Sequence, residues 1–318
     1  MINKKSSPLV SIIIPLYNKE QFVRRTIESV LMQTFGDFEV VVVDDGSTDN
    51  GAKIVSCFED QRIKLISQEN AGPGAARNTG IRASCGQLLA FLDADDEWDR
   101  NFLELSIKNL HDHPDTVATI HGHYITEHRV SREQFYRDRG IAPGEWKMPV
   151  NITGKEAKTA IDFMHSGAVL CKREAIEQCG GFYEKNRSLF GEDAYLWLQI
   201  MLKYCIYRDP APLMWYRTDA SELGMDRSKI WPMLIDPESI REGCPVSHKS
   251  MLERILAYYA MLAARRKLRD GNVSEAKELL TRFRCRSRHE VWTYLKLRLD
   301  ALLASYPRVY QWAHKQRE

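Results

Sequence analysis

Two kinds of segment alternate over the first hundred residues. Short apolar runs predict strands that are buried on both faces, and segments with a helical period lie between them. The predicted strands are LVSIIIPLYN (9–18), FEVVVVDDGS (38–47), IKLISQEN (63–70) and GQLLAFLDADD (86–96). The predicted helices are KEQFVRRTIESVLMQT (19–34), TDNGAKIVSCFED (48–60) and GPGAARNTGIRAS (72–84). Regular alternation of this kind indicates a Rossmann-like, mostly parallel sheet with helices on both faces.

The second half of the chain has a less regular pattern. Residues 111–165 show no clean period, whereas GAVLCKREAIEQCGGF (167–182) predicts a strand and a short helix that ends at two glycines. GEDAYLWLQIMLKY (191–204) predicts an amphipathic helix that begins with two acidic residues. From residue 248 onward the pattern is helical, with a break at Gly271 and a last helix that begins near residue 288. We therefore expect an α/β domain followed by a helical C-terminal tail.

Composition places the chain in the globular class. Hydrophobic residues make up 44% and charged residues 28%, and no apolar run approaches the roughly 18 residues that span a bilayer. Pro8 and Pro15 interrupt the apolar N-terminal stretch, so we do not expect a signal peptide. The seven cysteines include no C-x-x-C pair, which favours free thiols in a reducing compartment. A cytoplasmic location is expected.

Charge is distributed unevenly along the chain. Residues 251–318 hold 15 lysines and arginines against 7 aspartates and glutamates, an excess of 8 positive charges within a total of +2. Two interpretations stay open for this basic tail: a solvated helix face, or contact with the inner face of an anionic membrane. No nucleic-acid partner is expected, and the pattern does not define an oligomeric state.

Both acidic clusters of the first hundred residues follow predicted strands. Asp44-Asp45-Gly46-Ser47-Thr48-Asp49 comes after the second strand, and Asp93-Ala94-Asp95-Asp96 comes after the fourth. Ligands of open α/β sheets bind at the carboxyl ends of the strands, so the two clusters are expected to line one site. The D-x-D spacing of Asp93 and Asp95 suits a hard divalent cation together with a ribose hydroxyl. A carboxylate fixed at a strand end can also accept the N–H of a nucleobase.

Each motif also has a structural interpretation. The D-x-D stretch can be a solvated acidic turn, and Ser47 or Asp49 can cap the following helix. A dinucleotide fingerprint is disfavoured, because Arg77 stands where AGPGAARNTG would need its third glycine. The chain contains neither a Walker A lysine motif nor a G-x-S-x-G nucleophile motif.

Three of these stretches together carry a family resemblance. VSIIIPLYNKEQFVRRTIESVLMQTFGDFEVVVVDDGSTD, NAGPGAARNTGI and LLAFLDADDEW closely resemble the N-terminal half of family 2 glycosyltransferases, and the match reappears at GAVLCKREAIEQCGGFYEKNRSLFGEDAYLWLQI. The resemblance implies a GT-A fold. It implies a nucleotide-sugar-binding half over residues 1–110 and an acceptor-binding and catalytic half over 111–247. The basic helical region, 248–318, lies outside it.

The resemblance also implies roles for individual residues. Pro15, Tyr17 and Asp45 match positions that hold a uracil ring, and Asn18 and Glu20 lie in the same loop. Arg77 matches a base- and ribose-side contact, Asp93 a ribose contact, and Asp95 a ligand of Mn²⁺ or Mg²⁺ beside the diphosphate. Asp193, next to Glu192, matches the general base of inverting members. Asp219 stands where many members carry a histidine that also faces the metal, and an aspartate there can also bind Mn²⁺.

The implied reaction is chemically coherent with these residues. A sugar moves from a nucleotide-sugar donor, most simply a UDP-sugar, to a hydroxyl of a glycan or lipid-linked glycan acceptor. A divalent cation neutralises the leaving diphosphate, and a carboxylate on the opposite face deprotonates the acceptor hydroxyl. Two rival interpretations are a nucleotide-sugar-binding scaffold without catalysis and a nucleotidyltransferase. His165 has two interpretations, an acceptor contact or a hydrogen-bonded structural residue, and Tyr195 and Trp197 are expected in the core.

Overall fold

A computed structural model of the chain describes residues 7–218, 230–285 and 290–304. These residues divide into two compact units. The first unit includes residues 7–148 and 160–218, and the second includes 149–159, 230–285 and 290–304. Residues 149–159 and 230–247 thus group with the C-terminal helices. The functional division into donor and acceptor halves stays a prediction.

The strands of the described residues form one mixed sheet. They are β1 (Val10–Leu16), β2 (Phe38–Asp44), β3 (Ile63–Ser67), β4 (Leu88–Phe91), β5 (Glu97–Trp98), β6 (Thr116–Ile125), β7 (Val130–Ser131), β8 (Gly144–Trp146), β9 (Val169–Lys172) and β10 (Cys205–Tyr216). The main order is β3-β2-β1-β4-β9-β6-β10-β5, with β7 beside β6 and β8 beside β10. The first four strands are parallel, as their apolar runs predict. β9 is antiparallel to both of its neighbours, β4 and β6.

Helices follow the strands in the order that the sequence predicts. They are α1 (Val23–Leu31), α2 (Gly51–Ser56), α3 (Pro73–Ala83), α4 (Phe102–Asp112), α5 (Glu133–Arg137), α6 (Gly154–Phe163), α7 (Arg173–Gln178) and α8 (Glu192–Lys203). The C-terminal helices are α9 (Pro232–Ile235), α10 (Pro237–Gly243), α11 (Lys249–Arg269), α12 (Val273–Arg282) and α13 (Val291–Leu303). In the described ranges, none of these helices is both long and apolar enough to cross a bilayer.

The two faces of the parallel strands bury different helices. One face of β1 and β2 packs with α1, α2 and α4 in a core that includes Ile12, Ile14 and Ile27. The other face packs Val41 and Val43 against Ala76 of α3. Gly80 permits this close approach, since a Cβ at that position would lie 2.4 Å from a methyl group of Ile13. Helices on both faces leave only the strand ends open, and these ends carry the polar residues.

Candidate active site

The structure brings both acidic clusters to one edge of the sheet. β2, β1 and β4 are neighbours, and the residues that follow them include Asp45, Tyr17 and Asp93. The N–H of Asp45 donates to the carbonyl of Leu16 at 2.8 Å, which joins the ends of β1 and β2. Parallel neighbours with all carboxyl ends at one edge explain why clusters about fifty residues apart in sequence lie at the same edge.

Pro15 lies near the end of β1, and Tyr17 directly follows the strand at this edge. Pro15 is partly buried and lies opposite Val43 in the β1–β2 register. Tyr17 is 39% exposed, which is unusual for a large aromatic side chain beside a core strand. An exposed aromatic ring at a strand end offers a stacking surface for a planar ligand.

Asn18 and Glu20 fasten the loop after β1 to the loop after β2. The Asn18 side-chain oxygen accepts from the N–H of Thr48 at 2.8 Å, and Asn18 itself has a positive φ of 51°. Glu20 accepts from the N–H of Asn50 at 2.9 Å. In return, Asp49 accepts from the N–H of Glu20 at 2.8 Å and from that of Gly51, in the first turn of α2, at 2.9 Å. Both residues therefore position the loops that carry Tyr17 and Asp45.

Asp45 is buried and holds the loop that precedes α3. One carboxylate oxygen accepts from the Gln68 amide at 2.7 Å and from the N–H of Ala71 at 2.8 Å. The other accepts from the N–H of Gly72 at 2.9 Å. A carboxylate has about four acceptor positions, so one remains for a ligand N–H. The predicted base contact of Asp45 is compatible with this geometry.

Arg77 joins the two acidic stretches of the site. It is 4% exposed, and its guanidinium donates to Asp93 at 2.6 Å and to Glu192 at 2.8 Å. Burial disfavours the charged form, but the two carboxylates outweigh it and raise the pKa of Arg77. The same pairing holds the pKa of Asp93 below its usual range although burial acts to raise it. The predicted base- and ribose-side contact of Arg77 stays a prediction. In this structure its guanidinium faces the two acidic side chains.

The segment before α8 reaches the site because α3 fits closely against it. A Cβ on Gly74 would lie 2.2 Å from the carbonyl oxygen of Tyr183 and 3.2 Å from Cγ of Glu192. Asn78 exchanges hydrogen bonds with the backbone of Phe182, at 2.8 and 2.9 Å. The glycine and the asparagine of GPGAARN thus explain how Glu192 comes within reach of Arg77.

Glu192 and Asp193 begin α8, where two carboxylates would ordinarily complement the helix dipole. Burial, followed by the charge of Asp193, raises the pKa of Glu192 to about 7, against the opposing effect of Arg77. Burial also raises the pKa of Asp193, although Arg77 opposes it. Asp193 is partly exposed, and its Oδ1 accepts from the N–H of Ala194 at 2.7 Å. A partly exposed carboxylate with a raised pKa is suited to accept a proton.

The raised pKa of Glu192 predicts a pH dependence of stability. Between the ordinary glutamate value and about 7, the folded protein keeps a proton that the unfolded chain releases. The free energy of unfolding therefore falls as the pH rises through this window. In Glu192→Gln, we expect the change in unfolding free energy between pH 5 and pH 7.5 to be smaller by about 1–3 kcal/mol. Urea titrations at the two pH values measure this change. The control Glu59→Gln, at an exposed position, should keep the wild-type change, and an unaltered change in Glu192→Gln would contradict the shift.

Asp95 and Asp96 follow β4 and are both buried. Asp95 accepts from the Lys19 ammonium at 2.7 Å, yet burial and the charge of Asp93 still raise its pKa. Asp96 accepts from the N–H of Arg217 at 2.9 Å. Burial, followed by the charges of Asp95 and Asp93, raises its pKa well above the usual range. Three carboxylates share this small space, and an additional cation there would be favourable.

Asp95 and its neighbours are suited to hold a divalent cation whose other ligands are phosphate oxygens. Mg²⁺ is usually held by one or two carboxylates, and phosphate and water oxygens complete its shell. Among residues 7–218, 230–285 and 290–304, no three His, Cys, Asp or Glu side chains could hold a metal ion. Asp219, the other predicted ligand, lies outside the described residues. In this part of the chain, Asp95 is therefore the candidate protein ligand for such a cation, and phosphate oxygens would supply further ligands.

Three further residues considered from the sequence have structural contacts: His165, Tyr195 and Trp197. Nδ1 of His165 accepts from the N–H of Gly167 at 3.3 Å, which caps a 3₁₀ turn at Ser166–Ala168. Burial lowers the pKa of His165, and Asp93 opposes this shift. Tyr195 and Trp197 are buried, as expected, and the Trp197 indole donates to Ser166 at 3.2 Å. The hydrogen-bonded interpretation of His165 agrees with this geometry.

Sequence reasoning missed three polar residues of the site: Lys19, Gln68 and Asp96. Lys19 and Gln68 each contact a predicted aspartate from a different loop. A lysine in PLYNKE and a glutamine in ISQEN are unremarkable by composition, so the sequence contains no signal for them. Asp96 was part of the acidic stretch, but only the structure shows its burial.

The described strands form a mixed α/β sheet with acidic residues at its strand ends, and comparison with known proteins specifies the family. Residues 11–180 match Glycosyl transferase family 2. The chain belongs to this family, and the predicted resemblance is confirmed.

One curated relative and two solved structures illustrate what the chain is similar to. WfgD of Escherichia coli, a UDP-Glc:alpha-D-GlcNAc-diphosphoundecaprenol beta-1,3-glucosyltransferase, is 43% identical over 117 residues, 36% of this chain and 46% of WfgD. S. aureus TarS 1–349 in complex with UDP has a TM-score of 0.66 at 16% identity, over 97% of this chain and 92% of that one. Mannosyltransferase PcManGT from Pyrobaculum calidifontis, in complex with GDP-Man and Mn²⁺, has a TM-score of 0.57 at 23% identity, over 98% and 85%.

The matches cover different shares of the length of the compared proteins. The chain spans between 17% and 37% of the length of four curated glycosyltransferase relatives. The structural matches confirm the GT-A fold with its C-terminal helices.

Proposed function

We propose that this protein is an inverting, metal-dependent glycosyltransferase that uses a UDP-sugar. The observation that carries the proposal is the arrangement at the sheet edge. An exposed Tyr17, the buried Asp45 carboxylate and the D-x-D pair follow the neighbouring strands β1, β2 and β4, and Arg77 links Asp93 to Glu192 beside Asp193. Family membership and the UDP complex of TarS support the choice of donor.

The donor nucleotide is bound by the ends of β1, β2 and β4. Tyr17 stacks on the base, and the remaining acceptor position of Asp45 takes the base N–H. Asp93 accepts from a ribose hydroxyl, while Arg77 keeps that carboxylate ionised. Asp95 would hold a divalent cation, which when bound would neutralise the charge that develops on the leaving group. Pro15, Asn18 and Glu20 support the loops around the base.

Asp193 acts on the acceptor as the general base. Its carboxylate removes the proton from the attacking hydroxyl as the new glycosidic bond forms and the bond from the anomeric carbon to the diphosphate breaks. A single displacement inverts the anomeric carbon. Glu192 stays with Arg77, so the two adjacent acids have separate roles. The acceptor is a hydroxyl of a glycan or lipid-linked glycan, a class supported by the likeness to WfgD.

Equilibrium binding tests the donor pocket. Isothermal titration calorimetry with Mn²⁺ is expected to show UDP binding in preference to GDP and ADP. Tyr17→Ala should weaken UDP binding by about tenfold, since base–aromatic stacking contributes about 1–3 kcal/mol. The matched control is Leu105→Ala, an apolar side chain of the same 39% exposure on α4, and it should leave the Kd unchanged. Equal affinity for all three nucleotides, or a Tyr17→Ala protein with wild-type UDP affinity, would overturn this pocket assignment.

A further inference from the structure

Helix α13 exposes a continuous apolar face. Trp292 is 80% exposed, Leu295 and Leu299 are each 48% exposed, and Leu302 is 54% exposed. Their spacing of three, four and three residues places them on one side of the helix. We call these four residues the α13 stripe. Scattered apolar side chains are normal at a protein surface, but a contiguous row on one helix marks an interaction site.

The stripe is not the face by which α13 packs in its own unit. Tyr294, Leu297 and Ala301 are buried, and the Tyr294 hydroxyl donates to the carbonyl of Leu280 at 2.6 Å. At 100° per residue these three residues lie on roughly the opposite side of the helix from the stripe. The helix is thus anchored on one side and presents a second apolar face on the other.

Positive charge borders the stripe on both sides. Lys296 and Arg298 are exposed, and the helical period places one on each flank of the stripe. Thr293 and Asp300 lie on the remaining polar side. Residues 251–318 as a whole carry the excess of 8 positive charges noted above. Tryptophan and leucine flanked by cations are the composition of a helix that lies in the interface of an anionic membrane.

We propose that the α13 stripe binds an anionic lipid surface. A second copy of the chain fits less well, because pairing two stripes would bring Lys296 and Arg298 of each copy against those of the other. Residues 305–318 hold three lysines and arginines against one glutamate, so their charge also does not complement the flanks. Anionic headgroups complement the cations while the acyl boundary takes up the tryptophan and leucines. The proposal goes beyond sugar transfer, and its test requires no donor or acceptor.

Vesicle binding by the full chain tests the proposal with two charge-matched variants. Leu299→Glu and Thr293→Glu each add one negative charge to an exposed position of α13, but only the first lies in the stripe. With vesicles of 70% phosphatidylcholine and 30% phosphatidylglycerol, we expect Leu299→Glu to lower the partition coefficient by about tenfold or more. Thr293→Glu should lower it by less than about threefold. Equal thermal unfolding midpoints establish that both variants are folded.

Two further readouts separate the outcomes. Brominated lipids should quench the wild-type tryptophan fluorescence and should quench Trp292→Phe less, because Trp292 enters the interface. Equal loss of binding in both glutamate variants would overturn the proposal in favour of unspecific charge attraction, as would a lack of binding to anionic vesicles. Light scattering that shows a dimer converted to a monomer by Leu299→Glu would also overturn it and assign the stripe to a second copy.

Discussion

Asp193→Asn is expected to lower the turnover number for sugar transfer by about 10²–10⁴-fold, the usual contribution of a positioned general base. The asparagine side chain has nearly the same shape, and its amide oxygen can still accept from the N–H of Ala194, as Oδ1 of Asp193 does at 2.7 Å. It cannot take the proton of an acceptor hydroxyl. Asp193 also lies outside the pairs that Arg77 makes with Asp93 and Glu192, so donor binding should persist.

The measurement for Asp193→Asn separates chemistry from binding. UDP release under saturating donor gives the turnover number, and calorimetry gives the UDP affinity, which should stay within about twofold of wild type. Glu192→Gln is the neighbouring control, since it keeps Asp193 while it weakens the pair with Arg77. Wild-type turnover in Asp193→Asn would remove this residue from catalysis. A parallel loss of UDP affinity would instead indicate damage to the donor pocket.

Asp95→Ala is expected to abolish the effect of divalent cations on UDP binding and to lower turnover by about 100-fold or more, since metal stabilisation of a leaving group contributes several kcal/mol. In wild type, UDP should bind at least about tenfold more tightly with Mn²⁺ than with EDTA, because Asp95 would hold a cation that neutralises the charge of the nucleotide. In the variant the two affinities should be equal.

Lys19→Met provides the opposing control for Asp95. The Lys19 ammonium lies 2.7 Å from Asp95 and competes with any metal ion for that carboxylate. Removing its charge should strengthen Mn²⁺ binding, which electron paramagnetic resonance measures directly as the loss of the free-ion signal. A metal effect that persists in Asp95→Ala would assign the cation to other residues.

The first two strands were predictable because β1 and β2 are buried on both faces, whereas β3 is only partly buried. The runs around Ile12 and Val41 contain almost no polar residue, so their extent follows from hydrophobicity alone. α2 begins at Gly51, later than the predicted helix over 48–60, because Asp49 bonds with Glu20 and Gly51 at its start. Local side-chain bonds of this kind compete with helix formation and leave no mark in the hydrophobic period.

The middle of the chain was not predictable, for a physical reason visible in two central strands. β6 buries His121 and His123, which interrupt its apolar pattern. β10 contains Asp209, Pro210 and Pro212, and its register with β6 shifts around the prolines. Prolines and polar residues normally argue against a central strand. Here the irregular register accommodates them.

The site residues differ in the same way: the sequence predicts some of them and not others. Positions at strand ends, such as Tyr17, Asp45 and Asp95, follow from the alternation of strands and helices. Contacts between distant segments do not. Arg77 and Glu192 are 115 residues apart and pair within 2.8 Å, and Lys19 reaches Asp95 from another loop. Such pairs depend on the completed fold, so the sequence indicates the members of the site but not the ion pairs among them.

Release of UDP from a panel of UDP-sugars, with Mn²⁺, Mg²⁺ or EDTA and with GDP-mannose as the competing donor, tests whether the protein is a metal-dependent UDP-sugar transferase. One UDP-sugar should be consumed in a metal-dependent reaction. This reaction is slow when water replaces the acceptor and faster when glycan or lipid-linked glycan fractions are added. If GDP-mannose were consumed and every UDP-sugar stayed intact, the assignment of the base pocket would be wrong. If no uridine nucleotide bound at all, the proposal of a UDP-sugar transferase would be wrong.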